Sequence, residues 1–307
     1  MPGAGDNHAG GAALRALAII GLWAAPALGG AWTVPASGFW GKVSYFRQTT
    51  GEWYIDSSLP MVVQTADGVE ITQVPAGSRQ PYRFGGEYRS MAVFAEGFYG
   101  VTDWLNLGFQ IPYFDQVYQD STRTEAPSDA GFSDLRIYTK LRALQAPAVL
   151  TLKLGAKVPT GDFRNEDGLI PVGEGQWDFD LLMQAGRSFW PLPAYANVEA
   201  GYRLRMENED VQRDPGDEWL LNAEAGWSPQ PRLLLALKLE LLHGKAGTSF
   251  GFTNPSLKKR IVYLAPTVSW TLFGETAAEL ALRRTLGGRN FPAGNQLTIG
   301  LSTRGGL

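Results

Sequence analysis

Hydrophobic and polar residues alternate with a period of two along most of the chain beyond residue 38. In the segment LTLKLGAKV (150–158), leucine, alanine and valine occupy one set of alternate positions, and threonine, lysine and glycine occupy the other. The segments 196–204, 233–240, 279–283 and 297–302 repeat this pattern. It predicts β-strands that each have an apolar face and a polar face. Alternation alone does not separate a soluble β-sandwich from a membrane barrel, because both contain such strands.

The connections between the predicted strands alternate between short and long. Short turns lie at 102–104, 145–147, 191–193, 229–231 and 273–275. Longer polar loops lie between them, at 51–85, 117–131, 159–176, 208–216, 244–258 and 287–294. Outer-membrane barrels have this arrangement, with short periplasmic turns and longer external loops. The spacing therefore predicts an all-β, transmembrane antiparallel barrel of about 12 strands.

The predicted strands lie near 38–49, 86–100, 104–116, 132–144, 148–158, 177–190, 194–207, 217–228, 231–243, 259–272, 275–286 and 295–303. Their even number places both chain ends in the periplasm. The sheet has to close on itself, because an open edge in hydrocarbon would leave backbone N–H and C=O groups unpaired. Aromatic residues cluster at the strand ends, which predicts two interfacial girdles at the depth of the lipid headgroups.

The longest apolar run of the sequence, residues 12–27, is too short for a transmembrane helix and has the length of a secretory signal. We expect a signal peptide over 1–31, cleaved after Ala31, with Ala27 as the alternative site. The barrel would then span 32–307 and cross the bacterial outer membrane many times.

Composition narrows the chemistry. The sequence contains no cysteine and two histidines, so thiol catalysis is excluded and a histidine metal site can hardly be assembled. Net charge is −3, which gives no general attraction for nucleic acid. Aromatic residues are abundant, with 10 Trp, 11 Tyr and 15 Phe, yet mean hydropathy is −0.14. A barrel wall explains both values, because lipid-facing apolar residues alternate with polar lumen-facing ones.

Six motifs along the chain resemble those of the outer-membrane transporters associated with the meta-pathway of phenol degradation. They are YGVTDWLNLGFQIPY (99–113), GFSDLR (131–136), LGAKVPTGD (154–162), GEGQWDFD (173–180), DEW (217–219) and RTLGGRNFPAG (284–294). The resemblance covers nearly all of the mature chain and implies passive uptake of small, aromatic or apolar solutes. Related fatty-acid channels carry an N-terminal plug, whereas only six or seven residues precede the first strand here. Any plug would then have to come from a loop.

The polar faces of the strands carry many charges, which the predicted parity directs into the lumen. Folding the fifth strand onto the sixth brings Lys157 level with Asp178. These charges either form a constriction that selects solutes or an ion-pair network that fills a small barrel. The predicted lumen-lining residues are Arg136, Lys140, Lys153, Lys157, Asp178, Asp180, Glu199, Arg203, Lys238 and Glu240.

The first external loop is unusually apolar around Trp53, Tyr54 and Ile55. It either folds inward as a lid or a binding site at the mouth, or forms a hairpin that extends the wall.

We therefore predict an outer-membrane channel for passive uptake of small hydrophobic or aromatic solutes, without cofactor or metal. Its partners would be outer-membrane lipid, lipopolysaccharide, the barrel assembly machinery and the solute, with no nucleic acid. The alternative is a plugged structural or adhesive barrel, which complete internal ion pairing would favour. A barrel lipid hydrolase is the third hypothesis. It is not expected, because His243 has no Gly-x-Ser-x-Gly elbow or neighbouring acid in sequence.

Overall fold

A computed structural model describes residues 30–65, 68–122, 124–164 and 171–306. Most of the predicted signal peptide, residues 1–29, lies outside the described residues. The wall strands are β1 (Gly38–Thr50), β2 (Glu87–Gly100), β3 (Leu105–Gln119), β4 (Leu135–Leu144), β5 (Val149–Val158), β6 (Asp178–Ser188), β7 (Ala194–Arg205), β8 (Glu218–Gln230), β9 (Leu233–Gly244), β10 (Arg260–Phe273), β11 (Thr276–Arg289) and β12 (Asn295–Gly306). The prediction of about twelve strands is confirmed, with one detail changed. The fourth strand begins three residues later than predicted, and Ser128–Phe132, most of which was expected in a loop, is a short strand that pairs with β3.

The twelve strands form a closed antiparallel barrel in which each strand pairs with its neighbours in sequence. β1 pairs with β2 on one side and with β12 on the other, from Gly38 opposite Gly306 to Gln48 opposite Gln296. Closure leaves no free edge, so the backbone N–H and C=O groups of the wall are paired within the barrel.

The barrel is polar inside and apolar outside. On β6, for example, Leu181 is 55% exposed on the outer face, while the adjacent Asp180 is 6% exposed in the lumen. The side chains that the wall buries are largely polar, and the exposed ones include about half of its leucines. A soluble sandwich would show the reverse, because its apolar faces pack against each other. The alternation therefore belongs to a membrane-type barrel.

The aromatic girdles form only in part. Trp104, Trp190 and Trp270 are exposed at one end of the barrel and Trp177 and Trp219 at the other, as predicted. Four aromatic residues expected in these bands face the lumen instead: Trp40, Tyr88, Phe98 and Phe114. Position at a strand end sets the depth of a side chain, whereas its parity along the strand sets the face.

Short turns at 101–104, 145–148, 189–193, 231–232 and 274–275 connect the strands at one end. The other end carries the long loops. These contain a hairpin (Leu59–Thr65 and Gly68–Val74) and one small sheet of Glu52–Tyr54, Arg79–Pro81 and Phe291–Pro292. They also contain a second small sheet of Arg213–Asp214, Gly247–Ser249 and Phe252–Asn254, and two 3₁₀ turns at Arg83–Gly85 and Pro255–Leu257.

In the part of the chain that the structure describes, no helix has the length and apolar character needed to span a membrane.

Candidate functional site in the barrel lumen

Lys157 lies at the centre of a buried ionic cluster near the end of the lumen that carries the long loops, which we call the outer end. Its Nζ atom is 2.9 Å from Asp134, 2.7 Å from Glu174 and 3.4 Å from Asp178. The side chains of Lys157 and Asp178 are 2% and 1% exposed. The two residues face each other in the register of β5 and β6, as predicted.

Two arginines of β7 extend this cluster towards β8. Arg203 lies 2.6 Å from Asp180 and 3.0 Å from Glu218. Arg205 lies 2.6 Å from Glu174 and 3.2 Å from Glu218. Charges buried to this degree are retained only when they are paired, because their desolvation costs several kcal/mol per ion.

We call the whole group the outer ionic cluster: Asp134, Arg136, Lys157, Glu174, Asp178, Asp180, Arg203, Arg205 and Glu218. Its four cations and five carboxylates lie on or beside the strands from β4 to β8, and they fill the lumen next to these strands at its outer end. In this region the inward charges form an ion-pair network, which is the second of the two arrangements expected from the sequence.

The loop segment 171–177 folds into the lumen and contributes Glu174 to the outer ionic cluster. Asp134 accepts hydrogen bonds from the backbone N–H groups of Gly161 and Glu174, each at 3.1 Å. Gly161 and Gly173 approach so closely that a Cβ on Gly173 would lie 2.4 Å from the Gly161 backbone. Burial on its own would raise the pKa of Glu174, but Arg205 and Lys157 outweigh it and hold the pKa well below its usual range.

Glu199 is the centre of a second polar group, at mid-depth in the lumen. It lies 3.4 Å from Lys153 and accepts hydrogen bonds from Gln184 at 2.5 Å and from Asn222 at 2.9 Å. The Lys153 ammonium also sits 4.5 Å from the ring centroid of Tyr138, a cation–π contact.

A third group lies on the other side of the lumen, on β8, β9, β11 and β1. Glu279 lies 2.7 Å from Lys42 and 3.5 Å from Lys238, and Lys238 lies 3.7 Å from Glu224. The predicted residue Glu240 forms an ion pair with Arg283, outside this group.

The chain before β1, residues 30–36, enters the barrel from the end with the short turns, and its residues 30–34 lie in the lumen; we call it the N-terminal segment. Buried Lys140 donates a hydrogen bond to the Gly30 carbonyl at 2.7 Å, and Thr151 donates one to the Ala31 carbonyl at 2.5 Å. The amide side chain of Asn106 accepts from Val34 N at 2.8 Å and donates to Val34 O at 3.0 Å.

Trp32 of the same segment packs edge-to-face on Tyr195, with ring centroids 5.8 Å apart, and contacts Leu234. The expectation that any plug must come from a loop was therefore wrong. Seven residues are enough because short, polar lumen side chains such as Asn106 and Thr151 hold the backbone directly.

A cavity of about 190 Å³ lies beside the N-terminal segment, between the aromatic side of the lumen and the third polar group. It is lined by the rings of Trp40, Phe98 and Tyr138 and by the charged groups of Lys42, Glu96, Lys153, Glu224, Lys238 and Glu279. The rings are neighbours: Phe98 lies 6.2 Å from Trp40 and 6.3 Å from Tyr138 between centroids. The predicted list omitted Trp40, Lys42, Glu96 and Phe98, although extending the inward parity to β1 and β2 would have found all four.

At the outer mouth, Trp53 stacks on Tyr82 at 6.0 Å, and Tyr82 contacts Tyr118 of β3 edge-to-face at 5.5 Å. Tyr54 and Ile55 are buried, at 6% and 0% exposure. The Tyr54 ring lies over Gly288 of β11, where a Cβ would approach it to 2.6 Å. The first loop thus crosses above the wall towards β11 and also forms a hairpin, so it has features of both predicted arrangements.

No group of three or more potential metal ligands occurs among the described residues. His243 is exposed on the outer face, between Trp219 and Arg260 on the neighbouring strands.

The family described as "Putative MetA-pathway of phenol degradation" matches residues 83–301. None of the curated proteins matches the sequence. The COG4313 outer membrane channel from Pseudomonas putida F1 has a similar structure, with a TM-score of 0.69 and 17% identity over 89% of this chain and 97% of that one. This likeness supports the barrel fold.

Two weaker likenesses have TM-scores below 0.5 and carry no argument. The translocator domain of the autotransporter NalP from Neisseria meningitidis has a TM-score of 0.47 at 7% identity, over 95% of this chain and 97% of that one. The toluene transporter TodX from Pseudomonas putida has a TM-score of 0.41 at 8% identity, over 89% and 91%. The family match spans most of the chain and includes the motifs from residue 99 to residue 294, so this chain belongs to the MetA-pathway of phenol degradation family.

Proposed function

We propose that the protein is an outer-membrane channel for the passive uptake of small hydrophobic or aromatic solutes. The observation that carries the proposal is the cavity in the lumen, whose wall combines aromatic rings with charged groups. Small-molecule sites have this composition, with apolar surface for the body of the ligand and a few polar groups that orient it.

Further aromatic rings lie on the first loop, β2 and β3, outside the outer ionic cluster. Trp53, Tyr82 and Tyr118 stand at the mouth. Phe94 and Phe114 contact each other deeper in, at 5.6 Å, and Phe98 and Trp40 follow at the cavity. Aromatic faces attract other rings in stacked or edge-to-face geometry, so this series offers an aromatic solute successive contacts along β2 and β3.

The plugged structural or adhesive barrel remains the second candidate, for two specific reasons. The inward charges on β4 to β8 are engaged with one another, and the N-terminal segment occupies part of the lumen. In a plugged barrel the cavity would be a closed void that opens to neither side of the membrane.

Two measurements on the full chain separate the candidates. Purified protein in planar bilayers should conduct ions, and cells that produce it should take up a labelled aromatic solute faster than cells that lack it. Absence of both effects would overturn the channel proposal and favour the plugged barrel.

We also propose export by a cleavable signal peptide, with cleavage upstream of Gly30. The reason is that the Gly30 and Ala31 carbonyls accept hydrogen bonds from Lys140 and Thr151. Cleavage after Ala31 would remove both acceptors from the lumen. Mass spectrometry of the mature protein should therefore find Gly30 and Ala31 retained, and a chain that begins at Trp32 would contradict this. Its partners would be the barrel assembly machinery during insertion and lipopolysaccharide in the outer membrane.

A further inference from the structure

We propose that the cavity binds a single aromatic ring that carries a neutral hydroxyl group, and that Glu96 accepts the hydrogen bond of that hydroxyl. The proposal rests on the channel function and adds a specificity-determining residue to it.

Among the described residues, Glu96 is the carboxylate of the cavity that takes part in none of its ion pairs. It lies on β2, opposite Lys42 of β1 and Gln110 of β3. Lys42 directs its ammonium to Glu279, at 2.7 Å. The contact that remains for Glu96 is the Gln110 amide, at a long 3.4 Å. The other carboxylates of the cavity, Glu224 and Glu279, are both held by Lys238.

The aromatic wall stands next to this carboxylate. Phe98 follows Glu96 on the same face of β2, and the planes of its neighbours Trp40 and Tyr138 are each tilted by 32° against it. The three rings therefore form one continuous surface rather than separate contacts. A cavity of roughly 150 Å³ is known to hold one benzene molecule, so the present one, of about 190 Å³, suits one substituted ring.

The charges around the cavity select a neutral donor. Three lysines and three glutamates line it and their charges cancel, so an organic ammonium group would add an uncompensated positive charge to the cavity. A carboxylate solute would be repelled by Glu96 itself. A phenolic hydroxyl satisfies the carboxylate without adding charge, and its ring lies against Phe98 and Trp40.

The test is calorimetric titration of the purified full-length protein in detergent with phenol, anisole, benzylamine and benzoate. Anisole has nearly the shape of phenol but cannot donate a hydrogen bond. We expect phenol to bind about tenfold more tightly than anisole, since a hydrogen bond to a charged group contributes at least this much. Glu96→Ala should abolish the difference and leave the affinity for anisole unchanged. Glu96→Gln, which keeps one acceptor oxygen, should lose part of it.

Glu240→Gln is the matched control, because Glu240 is a lumen carboxylate paired with Arg283 outside the cavity. It should bind phenol as the parent does, and heat-modifiable gel mobility verifies the fold of each variant. Equal affinity for phenol and anisole in the parent would overturn the proposal, as would tighter binding of benzylamine or benzoate. If the parent conducts and speeds uptake but Glu96→Ala still prefers phenol, this inference fails and the channel function stands. Binding that depends on Glu96 without conductance or uptake would remove the channel function instead.

Discussion

At the scale of single residues, lumen charges are held by partners that other strands supply. Lys157 on β5 is nearly inaccessible and touches carboxylates of a loop, of β6 and of the segment before β4. No single strand could bury such a charge, because the penalty for leaving it unpaired exceeds what local structure can supply.

We expect Lys157→Met to destabilise the barrel by about 3–5 kcal/mol, since it leaves three carboxylates together without their central cation. The unfolding midpoint in urea, followed by heat-modifiable mobility, measures the effect. Lys245→Met is the control, because Lys245 is 55% exposed beside Asp217 and its ion pair is screened by water. A parent-like midpoint for Lys157→Met would show that the outer ionic cluster does not stabilise the wall.

Adjacent residues of β9 should respond in opposite ways to a change of polarity. Leu237 is 49% exposed on the outer face, and the next residue, Lys238, points inward to Glu279. Leu237→Arg puts a charge in hydrocarbon and should cost about 2–4 kcal/mol. Lys238→Leu should fold and mainly change ion selectivity, because Glu279 keeps Lys42 as a partner. Equal folding yields in detergent would contradict this assignment of the two faces, and a better yield for Leu237→Arg would reverse it.

At the scale of elements, two segments outside the wall fill the lumen: the loop segment 171–177 from the outer end and the N-terminal segment. The loop segment is held by ion pairs and hydrogen bonds, and the N-terminal segment by hydrogen bonds and by the packing of Trp32 on Tyr195. Such attachments open more readily than the strands themselves, and this makes them the movable parts of the barrel.

The attachment of 171–177 should weaken in acid. The pKa of Glu174 is lowered in the folded protein, so its contribution is complete above its unfolded pKa of about 4.3 and is lost as pH falls through the lower folded value. We expect the difference in unfolding midpoint between the parent and Glu174→Gln to be constant from pH 7 to pH 5. It should shrink below about pH 4. A difference that persists unchanged at pH 2 would contradict the depressed pKa.

Loosening the N-terminal segment should increase conductance. Asn106→Ala removes both hydrogen bonds to Val34, at 2.8 and 3.0 Å, without changing a charge. We expect larger or more frequent open currents in planar bilayers. Asn222→Ala is the control, since Asn222 also faces the lumen but bonds to Glu199. Identical currents for Asn106→Ala and the parent would show that the segment does not limit conduction.

At the scale of the whole molecule, one end of the barrel carries short turns and the other carries long loops, which defines an orientation. The sequence has no cysteine, so single introduced cysteines report it cleanly. Phe252→Cys, in an external loop at a site that is 79% exposed, should be labelled on intact cells by a membrane-impermeant thiol reagent. Gln230→Cys, at a short turn, should react only after the outer membrane is permeabilised. The reverse pattern would invert the topology.

The number and order of the wall strands could be predicted from the sequence alone. Alternation, turn spacing and the count of strands predict twelve antiparallel strands, and parity places Lys157 opposite Asp178, because each of these depends on neighbours along the chain or on the next strand. The contents of the lumen could be seen only in the folded barrel. Glu174 reaches Arg205 from a loop, and Gly30 reaches Lys140 across 110 positions of sequence. The closed barrel brings Glu96 together with Trp40 and Tyr138 in one cavity. Periodicity carries no information on such contacts, because they depend on curvature, closure and side-chain reach across the barrel.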